Sequence, residues 1–143
     1  MRDLYRIIVS MNRKFLIATH GAFAQGVKSS LDMIIGPSDN VFLIQAYLEE
    51  NTPLDAEIER LLQQDGDGHE WVVFSDLLGG SVNNQILRYA LWPNVHVVSG
   101  FNLPLLIEII MSDPASPVKD VIENALLAAR EQMVYVNKLI SGQ

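Results

Sequence analysis

Four short apolar runs, each followed by a segment with helical spacing, constrain this chain more than any other feature. The runs are Phe15–Ala18, Val41–Ala46, Trp71–Ser75 and Val95–Ser99, and each has the length of a buried strand. Strands that alternate with helices need crossover connections, which are right-handed and place helices on both faces of a parallel sheet. The pattern therefore predicts an α/β fold of three layers with a doubly wound, mainly parallel sheet.

The segments between these runs carry apolar residues at helical spacing. They predict helices over 21–35, from Thr52 and Pro53 onward, and over 81–91, 103–111 and 116–132. A fifth apolar run, Met133–Val136, follows the last helix with almost no loop. So short a joint disfavours a parallel return, and we predict that this run adds as an antiparallel strand at a sheet edge.

Composition bounds the domain count and the class of function. A chain of 143 residues, 49% hydrophobic and 19% charged, fits one globular domain, which we place at 14–143 after an extension of residues 1–13. No apolar stretch has the length of a membrane span. The net charge of −7 without a basic cluster argues against nucleic-acid binding. The lack of cysteine excludes disulfides and thiolate chemistry, and it fits a cytoplasmic protein.

Two of the runs end on residues that can do chemistry. His20 and Gly21 follow the first run, and Asp76 follows the third, ahead of Gly79, Gly80 and Ser81. In a strand order of 2-1-3-4, strands one and three are neighbours, so His20 and Asp76 would face each other at the rim where ligands bind in such sheets. We predict that Ser81 caps the helix that follows it.

A histidine beside a carboxylate suits phosphoryl transfer. Imidazole is a largely uncharged nucleophile near neutral pH, and a carboxylate that accepts the N–H of one ring nitrogen leaves the other free to attack. Phosphoryl oxygens also need donors, which backbone N–H groups at a glycine-rich turn and hydroxyl groups supply. The residues expected to bind the phosphoryl group are Thr19, Gly21, Gly79, Gly80 and Ser81.

Three motifs at matching intervals resemble one known family. The segments Ala18–Gly21, Phe74–Ser81 and Ser99–Pro104 are similar to those of IIA domains of the mannose-type (mannose, fructose and sorbose) bacterial sugar phosphotransferase system. The resemblance covers nearly everything from Lys14 onward. Val82 departs from it, because the family usually has proline there, and we expect only a small effect on local rigidity.

The resemblance implies a role for each part. His20 would take a phosphoryl group from the phosphocarrier HPr and pass it to a IIB domain, with Asp76 orienting the ring. The IIB domain phosphorylates the sugar that enters through a membrane complex of IIC and IID subunits, so contact with that complex would be indirect. The resemblance also suggests that the last strand is exchanged within a homodimer. No cofactor or metal is expected, since the chain lacks a glycine-rich lysine motif for nucleotides.

Other polar and aromatic residues near the strand ends leave alternatives open. Phe23, Phe101 and Asn102 lie just past strand ends, where they could contact partner proteins or simply pack. His69 and His96 are interpreted as a loop residue and a strand residue without a catalytic role.

Two further functions remain open at this point. The first is a related phosphotransfer domain that serves a dihydroxyacetone kinase or a transcriptional regulator. The second, of another class, is a non-catalytic binding module on a flavodoxin-like sheet, in which His20 would only line a pocket.

Overall fold

In the computed structural model, which describes residues 13–48, 54–63 and 69–142, strands alternate with helices as predicted. The strands are β1 (Lys14–His20), β2 (Val41–Ala46), β3 (Trp71–Ser75) and β4 (Val95–Ser99). The helices are α1 (Phe23–Ile35), α2 (Leu54–Gln63), α3 (Ser81–Ile86), α4 (Leu103–Ile110), α5 (Val118–Glu131) and α6 (Val136–Ser141), and a 3₁₀ helix (Leu87–Leu91) continues α3. The predicted start of the second helix, Thr52 and Pro53, lies outside the described residues. None of the described helices is both long and apolar enough to cross a bilayer.

The strand order confirms the doubly wound sheet. The four strands are parallel and lie in the order β2-β1-β3-β4. His20 pairs with Ala46 of β2, and Ala18 pairs with Ser75 of β3. The carboxyl ends of the three strands therefore meet at one rim, which is where the order of strands reverses and where such sheets bind ligands.

Side chains along β1 alternate between two buried layers. Phe15 and Ile17 pack in the layer that includes α1, α4 and α5, whereas Leu16 and Ala18 pack in the layer that includes α2 and α3. A sheet covered on both faces explains why the strands are almost continuously apolar. Each fully buried aliphatic side chain contributes about 1.5–3 kcal/mol to folding. The rim residues thus project from a rigid platform.

Arg13 joins the opposite, amino end of β1 to the loop between α4 and α5. Its side chain is only 6% exposed, and Nη2 donates to the carbonyl oxygen of Ser116 at 2.8 Å and lies 3.9 Å from Oε2 of Glu70. Arg13 is thus packed against the domain. The remainder of the extension predicted for residues 1–13 lies outside the described residues.

The prediction of a fifth, antiparallel strand at Met133–Val136 is wrong for the single chain. Residues 133–135 form no strand, and Val136 begins α6. A short apolar run does not distinguish a strand from a helix by its periodicity, and the joint after α5 is too short to return this segment to the free edge of β4. The side chains of Met133, Val134, Tyr135 and Val136 are 69%, 50%, 72% and 54% exposed.

Candidate functional site

His20 is the last residue of the central strand, and its side chain is 38% exposed. The chain turns sharply after it because Gly21 adopts a left-handed backbone with φ of 55°, which glycine reaches without steric cost. The N–H of Gly21 donates to the carbonyl oxygen of Ala46 at 2.9 Å, which ties this turn to β2. The imidazole ring is therefore held at a defined place on the rim and remains open to solvent.

Asp76 binds both the backbone and the ring of His20. One carboxylate oxygen, Oδ2, lies 2.9 Å from the backbone nitrogen of His20 and 2.8 Å from Nδ1. Burial alone would raise the pKa of Asp76, but the hydrogen bonds and charge that His20 supplies outweigh it and lower this pKa below its ordinary value. An ionised carboxylate can only accept, so Nδ1 carries a proton, and in the neutral ring Nε2 presents its lone pair. The predicted pairing of His20 with Asp76 is present in the fold.

A chain of hydroxyl groups lies on the Nε2 side of His20. Oγ of Ser81 is 3.1 Å from Nε2, and the hydroxyl of Tyr47 is 2.8 Å from Oγ of Ser81. Ser81 was expected to cap α3, yet Gly80 occupies the N-cap position and no side chain caps this helix. The serine hydroxyl faces His20 and Tyr47 instead, so it is available to a group bound at Nε2.

Tyr47 is a site residue that the sequence did not single out. It follows β2, whose last residue pairs with His20, and its ring centroid lies 5.6 Å from that of His20. Its φ of 67° makes it the one residue other than glycine with a left-handed backbone among the described residues. That conformation costs a bulky residue about 1–2 kcal/mol. Its position directly after β2 is the sequence signal that could have identified Tyr47, since strand two borders strand one at the same rim.

The glycine-rich turn brings main chain close to the imidazole. Gly79 has a φ of 76°, and a methyl group added to Gly80 would lie 3.1 Å from Cβ of Leu77 and 3.6 Å from Cε1 of His20. The N–H of Gly80 donates to the carbonyl oxygen of Leu77 at 3.3 Å, which leaves the first N–H groups of α3 as the free main-chain donors expected at a helix start. The turn therefore lies beside the ring.

Two of the predicted phosphoryl-binding residues have other hydrogen-bond partners in this fold. Thr19 is fully buried, and its Oγ1 accepts the N–H of Ala24 at 2.9 Å, so its hydroxyl supports the start of α1 rather than the rim. The N–H of Gly21 is likewise engaged by Ala46. In both cases a polar group at the end of β1 is paired with nearby backbone.

A buried polar cluster fixes α3 against the sheet beneath the site. Oγ of Ser75 lies 2.7 Å from Oδ1 of Asn83 and 2.9 Å from Oγ of Ser99, and Asn83 is 1% exposed. These contacts link β3, β4 and the first turn of α3. Asp76 follows Ser75 in sequence and Ser81 lies two residues before Asn83, so the cluster anchors the segment that carries both site residues.

Exposed apolar side chains lie just past the ends of β1 and β3. Phe23 is 53% exposed and its ring lies 5.6 Å from that of Phe101, while Leu77 and Leu78 are 58% and 84% exposed. The side chain of Asn102 makes hydrogen bonds within the domain. Its Oδ1 accepts the N–H of Leu105 at the start of α4, and its Nδ2 donates to the carbonyl oxygen of Ala129. The loops that follow β1 and β3 thus expose rings and aliphatic side chains close in sequence to His20 and Asp76.

The other two histidines lie away from this rim. His96 pairs with Val72 inside the sheet and lies 3.9 Å from Glu70, and His69 precedes the start of β3. Burial lowers the pKa of His96, an effect that Glu70 partly opposes. No cluster of three or more carboxylate or histidine side chains suited to a metal ion occurs among residues 13–48, 54–63 and 69–142.

Comparisons with known proteins agree with the motifs. The family model described as PTS system fructose IIA component matches residues 14–126. The PTS system fructose-specific EIIA component of Bacillus subtilis (strain 168) is 26% identical over 111 residues, which are 76% of this chain and 76% of that protein. These matches confirm the resemblance that the three motifs carry.

Solved structures show the same relationship. A protein of Klebsiella pneumoniae subsp. pneumoniae MGH 78578, assigned as a permease of the phosphoenolpyruvate-dependent sugar phosphotransferase system, is 34% identical with a TM-score of 0.86, and the match covers 90% of this chain and 94% of that one. The PTS IIA protein associated with the fucose utilization operon of Streptococcus pneumoniae is 28% identical with a TM-score of 0.73, covering 90% and 96%.

Proposed function

This chain belongs to the family of PTS system fructose IIA components, and on that premise we propose that it is a phosphohistidine carrier that holds its phosphoryl group on Nε2 of His20. The observation that carries the proposal is that the two ring nitrogens of His20 lie in different environments. Nδ1 is engaged by buried Asp76, whereas Nε2 faces the exposed rim. Only Nε2 combines a lone pair with access to a partner protein.

The step balances without any further reactant. Phosphorylated HPr presents a phosphoryl group on a histidine nitrogen; the Nε2 lone pair of His20 forms the new N–P bond while the N–P bond of the donor breaks and its electron pair stays on the donor's ring. The proton on Nδ1 remains in place, so the phosphorylated ring of His20 is a cation. Asp76 lies at 2.8 Å and stabilises that charge. Transfer onward to a IIB domain reverses the same step.

The phosphoryl oxygens would be bound by the turn that follows Asp76. We assign this role to the main chain of Gly79 and Gly80 and to the hydroxyl of Ser81, because Gly80 lies beside Cε1 of the ring, Oγ of Ser81 lies 3.1 Å from Nε2, and Gly79 precedes them in the same turn. Thr19 and Gly21 have no part in the proposed contact, because their polar groups are satisfied by Ala24 and Ala46.

The apolar rim around His20 is the proposed docking surface for HPr and the IIB domain in turn. Exposed Phe23, backed by Phe101, and exposed Leu77 and Leu78 would bury apolar area around the transferred group. Exclusion of water there favours transfer to a partner over hydrolysis. Both partners need the same imidazole, so they would bind one after the other.

The assay for the carrier role is phosphorylation in vitro. Incubation with phosphoenolpyruvate, enzyme I and HPr should add one phosphoryl mass, stable in base and lost in acid. His20→Ala should abolish the addition, and His69→Ala and His96→Ala are matched controls that should retain it. Unchanged labelling of the His20→Ala protein would contradict the assignment.

We propose in addition that two copies of the chain form a dimer through the segment Met133–Val136. Four consecutive apolar side chains are half exposed or more in the single chain, and β4 is an edge strand of the sheet that is described. Pairing of this segment with the β4 edge of a second copy would cover both. Light scattering should give twice the chain mass, and a chain that ends at Gln132 should be monomeric or insoluble. A full-length protein that stays monomeric would contradict the exchange.

A further inference from the structure

Tyr47 does not contact Nε2 of His20, but it contacts Ser81, which does. Its left-handed backbone at the end of β2 brings its side chain back across the rim, with the ring beside that of His20. The side chain is 59% exposed, so burial of apolar area does not account for its position. What fixes it is its hydroxyl, 2.8 Å from Oγ of Ser81 and 3.5 Å from Nε2 of Gln85. A strained backbone that aims a hydroxyl into a candidate site points to a function for that hydroxyl.

When the ring of His20 is neutral, the hydrogen bonds around it run in one direction. Asp76 must accept from Nδ1, so Nε2 of the neutral ring is an acceptor and takes the hydrogen bond that the Ser81 hydroxyl donates, at 3.1 Å. A serine hydroxyl has a single proton. Oγ of Ser81 therefore accepts from Tyr47, whose oxygen in turn faces the amide donor of Gln85. Every group in the chain from Asp76 to Gln85 thus has a fixed donor or acceptor role.

We propose that Tyr47 is a positioning residue for the phosphoryl carrier: its hydroxyl holds Oγ of Ser81 beside Nε2 of His20 with the serine proton directed at the transferred group. The inference rests on the proposed function of His20. In the unphosphorylated protein the hydroxyl of Ser81 donates a hydrogen bond to Nε2. When Nε2 forms the N–P bond, that proton turns to a phosphoryl oxygen while Oγ of Ser81 continues to accept from Tyr47. No proton leaves the site, and the electron pair of the broken bond stays on the donor.

The variant Tyr47→Phe removes the hydroxyl and keeps the ring beside His20. Phosphorylated protein is equilibrated with HPr, and the distribution of the phosphoryl group is read by intact mass. Loss of one hydrogen bond that orients Ser81 should shift this equilibrium toward HPr about threefold to tenfold. Tyr89→Phe, which removes a tyrosine hydroxyl that donates to the carbonyl oxygen of Asp55 outside the site, should leave it unchanged.

A double-mutant comparison separates positioning from a general structural effect. If Tyr47 acts through Ser81, Tyr47→Phe should have no further effect in a Ser81→Ala protein. An unchanged equilibrium in Tyr47→Phe, or an equal shift in both backgrounds, would overturn the proposal. Thermal unfolding of each variant verifies that the fold is intact.

A spectroscopic measurement on the unphosphorylated protein keeps this inference separate from the carrier role. The ¹⁵N shift of Nε2 of His20 reports whether that nitrogen accepts a hydrogen bond. Tyr47→Phe should move it toward the value of a free acceptor, and the Ser81→Ala protein should show the same movement. A shift identical to that of the unsubstituted protein would overturn the inference. Failure of the carrier role would appear instead as a lack of phosphorylation of the unsubstituted protein.

Discussion

Replacement of Asp76 by asparagine isolates the contribution of one negative charge to phosphoryl transfer. The amide oxygen of Asn can occupy the place of Oδ2 and accept from both the backbone N–H and Nδ1 of His20, which lie 2.9 Å and 2.8 Å away. The amide nitrogen would replace Oδ1, a buried atom without a hydrogen-bond partner. Asp76→Asn should therefore keep the geometry of the ring and lose only the charge.

The expected loss follows from the burial of that charge. The Asp76 side chain is 10% exposed, so solvent screens its interaction with the ring very little. A hydrogen bond to a charged group contributes about 1.5–3 kcal/mol, which corresponds to a rate lower by about tenfold to 150-fold if the charge acts mainly when the ring becomes a cation. The lowered pKa of Asp76 keeps the carboxylate ionised near neutrality, so the two rates are compared at neutral pH.

Single-turnover transfer from phosphorylated HPr, followed by rapid quench and intact mass, measures this ratio. Circular dichroism and the thermal midpoint establish that the variant is folded. A transfer rate within twofold of the unsubstituted protein would refute the electrostatic role of Asp76. An acyl phosphate trapped on Asp76 would refute it in another way, because the carboxylate would then be the acceptor.

Three further predictions concern stability. Gly79→Ala should lower the free energy of unfolding by about 1–2 kcal/mol, because the φ of Gly79 is 76°. Gly26→Ala should raise it by about 0.5–1 kcal/mol, because Gly26 lies in α1 and an added methyl group meets no atom within 4 Å. Equal shifts of the two variants on chemical denaturation would contradict the backbone argument. Since burial lowers the pKa of His96, the folded state favours the neutral ring, and stability should fall as pH drops below about 6.5; urea denaturation of His96→Gln should show a flatter dependence, and parallel curves would count against it. Asn102→Ala should cost about 1 kcal/mol through loss of the cap on α4 while phosphorylation by HPr is unchanged; slower phosphorylation would make Asn102 a partner contact.

Much of the sheet could be predicted because it depends on local composition. β2, β3 and β4 have the bounds that their apolar runs indicate, since turn residues border each run. β1 is longer than its apolar run and includes Thr19 and His20, because pairing with β2 continues to Ala46. Contact between His20 and Asp76 needed one assumption beyond the residues, the adjacency of strands one and three, and the fold confirms that adjacency.

The details of the site depend on distances that a sequence does not contain. Ser81 is a good N-cap residue, but its hydroxyl faces His20, and only the fold determines which partner it has. Thr19 stands next to the histidine in sequence and yet points into the core. Tyr47 has no motif at all. The strand predicted at Met133–Val136 is absent from the single chain for a related reason. An apolar segment indicates that other residues must cover it, but not which chain those residues belong to.

The most direct test of the carrier role is to locate the phosphoryl group on the ring of His20. Protein labelled with ¹⁵N in histidine and phosphorylated through HPr would be studied by long-range ¹H–¹⁵N correlation, which distinguishes Nδ1 from Nε2. The account predicts that His20 alone changes, with phosphorus coupled to Nε2 and the proton retained on Nδ1 beside Asp76. Phosphorus on Nδ1, or on His69 or His96, would contradict it.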